Sequence, residues 1–220
     1  MDLFTLGFPP SYNPVLNEQN PNTWTDPPAN EFLVRGPNYL KQTGKNVISL
    51  KQPSQDALYT CVGLNVFKSP VSMEHCSAKI GEFRRYVEAR TRSQEEEEGG
   101  LPLYLVICWM FASLWGTDHT LVQFVFKRNG PSKGVDTAVD AAVARFMANS
   151  DDGKNEQFKY IFRVIEGPFM MTSVVSSLGG ERPVLIGRRL STRYFKGKNY
   201  LEIDMDVGSN YIASMLNSVS

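Results

Sequence analysis

Histidine and cysteine are both scarce, with 2 His and 3 Cys in 220 residues. Two histidines, His75 and His119, leave little material for a His-based catalytic triad or a zinc site. Each reads as an ordinary loop or turn residue. Cys61, Cys76 and Cys108 are an odd number with no CxxC spacing, which suits a reducing compartment better than a secreted disulfide scaffold. No surplus of either charge exists: 23 Lys and Arg balance 23 Asp and Glu. A nucleic-acid binder usually shows a basic excess, so no nucleic-acid partner is expected. The longest apolar run, Leu101 to Trp115, has 15 residues, short of the roughly 17–25 a membrane helix needs. Met1 to Pro10 lacks the basic and apolar regions of a secretory signal. No N-x-[ST] sequon, GxGxxG, GxxxxGK[ST] or GxSxG is present, so neither a phosphate cradle nor a nucleophile elbow is read. The expectation is a non-enzymatic, intracellular protein, cytoplasmic or peripheral to a membrane, without a cofactor.

What is present is a globular chain with 42% hydrophobic and 21% charged residues. Residues 1–40 are rich in Pro and Asn, yet carry Phe4, Phe8, Tyr12, Trp24 and Phe32. They read as an extended arm docked by its rings onto a single domain spanning 41–220. Strands are predicted over Asn46 to Leu50 and Leu58 to Phe67, and a helix over Cys76 to Arg92 from apolar residues at Ile80, Phe83 and Val87. Leu101 to Leu114 is apolar on both faces, as in a strand covered on both sides. Gly116-Thr117-Asp118 joins it to Thr120 to Lys127 as an antiparallel hairpin. Val135 to Met147 reads as a helix and Lys159 to Ile165 as a further core strand. Arg182 to Gly187, Leu190 to Phe195 and Tyr200 to Val207 read as strands. The last alternates strictly, with Leu201, Ile203, Met205 and Val207 opposite Glu202, Asp204 and Asp206. Beyond Gly208, Ser209 is a plausible N-cap for a helix whose stripe includes Ile212, Met215 and Leu216.

Glu202, Asp204 and Asp206 form the best acidic cluster. Alternate strand positions lie about 6.5–7 Å apart, wide for one metal ion, so no metal is assigned. The favoured reading is an outer face paired with Arg193 across the hairpin. The apolar side offers more. Trp109, Phe111, Phe124, Phe126, Phe162, Phe169, Met170, Ile203 and Met205 are rings and flexible chains in and beside strands. They suit either a solid core or the wall of an apolar small-molecule pocket. Met215 and Leu216 are the contacts by which a terminal helix would close that pocket.

Several stretches carry a family resemblance. Arg35-Gly36-Pro37-Asn38-Tyr39-Leu40, Val66-Phe67-Lys68-Ser69, Phe158-Lys159-Tyr160-Ile161 and Val164-Ile165-Glu166-Gly167 occur in order. The longest is Arg193-Tyr194-Phe195 followed by Asn199 through Ser209. Together they resemble the C-terminal domain of the plant and protist Enhanced-Disease-Resistance-Two proteins, from about residue 31 onward. In plants this domain usually follows pleckstrin-homology and START lipid-transfer domains, so the resemblance implies membrane-associated, lipid-linked signalling. It carries no enzymatic activity. Neither companion domain is present in these residues. The family also continues past Gly208-Ser209 into a long apolar helix, so either a truncated chain or a shorter member is expected.

The expected fold is α+β, a curved antiparallel sheet with packed helices similar to the START-like helix-grip arrangement, with a closed β-barrel as the alternative. The expected function is binding of a lipid or other apolar small molecule in a sheet-lined cavity, with peripheral membrane contact as a further option. A protein-interaction domain with a solid core is the alternative. The oligomeric state is not read from the sequence.

Overall fold

The structure is a computed structural model describing residues 27–39, 50–88, 101–111, 119–130, 137–164 and 182–207. In chain order the strands are β1 (Leu33–Arg35), β2 (Lys51–Pro53), β3 (Tyr59–Ser69), β4 (Tyr104–Phe111) and β5 (His119–Arg128). They continue as β6 (Lys159–Tyr160), β7 (Val184–Leu185), β8 (Ser191–Lys196) and β9 (Tyr200–Asp206). The helices are α1 (Cys76–Lys79), α2 (Gly81–Glu88), α3 (Thr137–Ala148) and α4 (Asp151–Asn155).

One five-stranded sheet in the order β3-β5-β4-β9-β8 organises the chain, and β1-β2 and β6-β7 are separate two-stranded ribbons. The fold is α+β, as expected. The edges β3 and β8 do not meet, so among the described residues the sheet is open and no barrel closes. The sheet is mixed rather than wholly antiparallel, because β4 runs parallel to β9 while its other neighbour, β5, is antiparallel. A bulge between Cys61 and Gly63 adds one residue to β3 and bends that edge.

Period-two alternation sends the side chains of each strand to two opposite layers. On one side Phe67, Val106, Met110, Leu121 and Val125 pack with Met73, Cys76 and Phe83 from the α1–α2 segment. On the other, Ile107, Leu201, Ile203 and Met205 pack with Phe162, Ile186 and Leu190, and Phe146 and Met147 of α3 lie against them. Burial on both faces explains why Tyr104–Phe111 is apolar throughout.

Some elements differ from the sequence reading. The predicted helix over Cys76 to Arg92 is interrupted at Ile80, which is extended (φ −88, ψ 101), so α1 and α2 are separate. Over its described residues Lys159 to Ile165 is not a core strand. The places beside β4 are held by β5 and β9, and among the described residues only Lys159 and Tyr160 pair, with Val184 and Leu185 rather than with the edges β3 or β8. The predicted strand over Arg182 to Gly187 is the two residues of β7, and a 3-10 turn at Ile186–Arg188 follows. The arm's Phe4, Phe8, Tyr12 and Trp24, the hairpin turn at 116–118 and the terminal helix beginning at Ser209 lie outside the described residues.

Candidate ligand-binding site

An apolar cleft opens between the sheet and α3. Its floor is Leu105 of β4 with Leu201 and Ile203 of β9, and its wall is Val139, Val143, Phe146 and Met147 of α3. Those four fall at i, i+4, i+7 and i+8, the spacing of one helix face, so the stripe that makes α3 amphipathic also makes it a wall. Tyr59, Leu101, Pro102 and Phe158 complete the lining, and Gln157 and Lys159 bring polar groups. The volume is about 370 Å³, toward the small end of ligand sites.

Of the residues singled out from sequence, Ile203 lines this cleft. Trp109, Phe124, Phe126, Phe162 and Met205 share its sheet face but belong to the packed core beside it. Trp109 is the hub, with ring centroids 5.5 Å from Phe124, 5.8 Å from Tyr160 and Phe162 and 6.4 Å from Phe111. These separations are ordinary aromatic packing. Burial pushes the Tyr160 hydroxyl up to about 12, so it stays neutral. Phe169, Met170, Met215 and Leu216 lie outside the described residues. The cleft residues on α3 fall in the helix predicted over Val135 to Met147 but were not read as a site, because an amphipathic helix reads the same whether it closes on the sheet or stops short of it.

The opposite face holds a correction. Glu202 and Asp204 are fully buried, not a solvent face. The segment around α1 covers them, and its backbone is their partner. Glu202 accepts from the Cys76 N–H at 2.8 Å and the Ser77 N–H at 3.1 Å, and Asp204 accepts from the His75 N–H at 2.8 Å. His75 sits at φ 52, the left-handed region that a non-glycine residue enters at a cost. Its ring is held by stacking on Phe195 at 4.3 Å and by a 3.0 Å hydrogen bond with the Tyr200 hydroxyl. Arg193 stands opposite Asp204 in register, yet its guanidinium pairs with Glu74 instead.

One rung of the sheet, Asn65–Gln123–Cys108–Asp204, is polar and buried throughout. Asn65 donates to Gln123 Oε1 at 2.8 Å, and Gln123 Nε2 donates to Cys76 Sγ at 3.0 Å. Cys76 Sγ is 3.5 Å from Cys108 Sγ, which is 3.6 Å from Glu202 Oε1. The Cys108 hydrogen bond favours the Cys76 thiolate, but burial and the nearby carboxylates outweigh it and push this thiol up. Burial and the neighbouring Cys76 push the Cys108 thiol well up. Burial, then the charge of Glu202, push the Asp204 carboxyl up to about 8 against the opposing His75 N–H. Sequence reasoning missed this cluster because no local spacing joins Cys76, Cys108 and Glu202.

The stretch with the longest sequence resemblance, Asn199 onward, thus supplies both the cleft floor and the buried acids. A family model described as "Protein ENHANCED DISEASE RESISTANCE 2, C-terminal" matches residues 24–220. The chain belongs to this family. It is similar to an Arabidopsis thaliana protein named "Protein ENHANCED DISEASE RESISTANCE 2-like", with 26% identity over 198 residues. That match covers 90% of this chain and 24% of the relative, so the chain spans about a quarter of the relative's length. No solved structure matches. No described helix is long and apolar enough to cross a membrane. As a member of the ENHANCED DISEASE RESISTANCE 2 C-terminal family, the chain places the family-like β9 between an apolar cleft and a second core that holds the buried polar rung.

Proposed function

We propose that this domain is a non-enzymatic binding module for a lipid or other apolar small molecule, linked to membrane-associated signalling or lipid handling. The observation that carries the reading is the cleft of about 370 Å³ whose floor and wall are almost wholly aliphatic and aromatic. Apolar ligands gain roughly 25 cal/mol per Å² of surface removed from water. Gln157 and Lys159 would meet the polar end of an amphiphile.

A second reading rests on the Trp109 ring cluster, which is packed rather than hollow and favours a regulatory or protein-interaction domain with a solid core. Native mass spectrometry of purified protein, with lipid extraction, separates the two. The first reading expects a co-purifying apolar molecule and displacement of an apolar fluorescent probe. Val143→Trp, which fills the cleft from α3, should abolish probe binding while the circular dichroism spectrum is unchanged. No extractable molecule together with no probe binding would leave the second reading.

A further inference from the structure

The buried face opposite the cleft carries a set of donors that neither ligand binding nor the family assignment uses. Cys76 Sγ, Cys108 Sγ and a Glu202 carboxylate oxygen all lie within 4.8 Å of one another and all three residues are buried. Zinc–sulfur bonds of about 2.3 Å and zinc–oxygen bonds of about 2.1 Å, at tetrahedral angles, put two sulfurs about 3.8 Å apart and a sulfur and an oxygen about 3.6 Å apart. The observed separations are 3.5 Å for the two sulfurs and 3.6 Å from Cys108 Sγ to Glu202 Oε1. Two edges of one face of a coordination tetrahedron are therefore already close to the lengths coordination requires, and the third, from Cys76 Sγ to the carboxylate, is within 4.8 Å.

Two further observations bear on this cluster. Asp204 Oδ1 is buried without a hydrogen-bond partner among the described residues. Asp204 follows Glu202 by two residues on the same strand face, and it is the register partner of Cys108. In addition, the amide of Gln123 is fixed by Asn65 so that its Nε2 donates to Cys76 Sγ. A donor aimed at sulfur is the outer contact a metal-bound thiolate takes.

We propose that Cys76, Cys108 and Glu202 bind one thiophilic divalent cation of the zinc class. Two thiols and a carboxylate select a borderline-soft ion over Mg²⁺ or Ca²⁺, which prefer all-oxygen sites. Binding releases the thiol protons to solvent as the two sulfur–metal bonds form, so affinity rises with pH. The ion would tie α1, through Cys76, to the central strands β4 and β9.

The test is cobalt titration of the full chain, purified with reductant and chelator and then freed of chelator. The expected result is a near-ultraviolet sulfur-to-cobalt charge-transfer band that saturates at one equivalent, is quenched by Zn²⁺ and is untouched by excess Mg²⁺. Cys61→Ser should keep the band and Cys108→Ser should lose it. Gln123→Leu should weaken Co²⁺ binding about 10–100-fold. Because Cys108→Ser can lose the fold as well as the ligand, the wild-type spectrum decides. No band from folded protein whose thiols titrate as reduced would overturn the proposal. So would a Cys76–Cys108 disulfide, two hydrogens lighter by mass, whose reduction still yields no band.

Discussion

Asp204, buried beside Glu202, shows how far burial and a like-charged neighbour together can move a carboxyl. In an unfolded chain its carboxyl titrates near 3.9, while in the fold it is pushed up to about 8. The groups facing it are Glu202 on its own strand, Cys108 on β4, Cys76 and the His75 N–H, with the charged Arg193–Glu74 pair beside them. Between about pH 4 and 8 the folded chain keeps a proton that the unfolded chain has lost. Stability therefore falls as pH rises through that window. Urea unfolding in chelator should show this decline. Asp204→Asn, which keeps an acceptor for the His75 N–H, should flatten it; equal slopes in both proteins would refute the assignment. Elsewhere at this scale, Phe67 is 1% exposed and Val71 is 63% exposed. Phe67→Ala should cost about 3–5 kcal/mol and Val71→Ala no more than about 0.5 kcal/mol, measured in the same urea series.

Among the elements, α1 is too short to stand alone, since isolated helices below about 12 residues are marginal. Its four residues persist because Glu202 accepts from its first N–H groups. Glu202→Ala would leave two buried donors unpaired, each costing about 1–3 kcal/mol. Hydrogen exchange at the Cys76 and Ser77 amides should accelerate well beyond that of β4; unchanged protection would mean that packing alone holds the helix. By contrast α4 caps itself, as Ser150 accepts from the Gly153 N–H at 3.2 Å. Ser150→Ala should cost about 0.5–2 kcal/mol, and thermal unfolding would read it as a lowered Tm.

At the scale of the whole molecule, the described residues build a five-stranded sheet covered on both sides. Strands β4, β5 and β9 lend alternate side chains to both cores, so the two should unfold together. Thermal unfolding followed by tryptophan fluorescence and by far-ultraviolet circular dichroism should give coincident single transitions. Two separated transitions would show that the cores melt apart.

Local chemistry was enough to read the β3, β4, β5, β8 and β9 strands and the α3 stripe, because a strand or helix repeats its apolar positions at a fixed period along the chain. The Asn199–Val207 pattern likewise carried the family. The same alternation led the reading of Glu202 and Asp204 astray. A period of two says that alternate side chains point to opposite sides of a sheet, but not what lies over each side. The His75–Cys76–Ser77 backbone covers that side, a contact 125 to 129 residues away in sequence. Strand register set beside one another Asn65, Gln123, Cys108 and Asp204, which share no local motif. The parallel pairing of β4 with β9, and the pairing of Lys159 and Tyr160 with β7 instead of with the central sheet, were also decided in three dimensions. So was the gap between α3 and the sheet: periodicity fixes which face of a helix turns inward, while only the packing of the finished layers sets how much space remains beneath it.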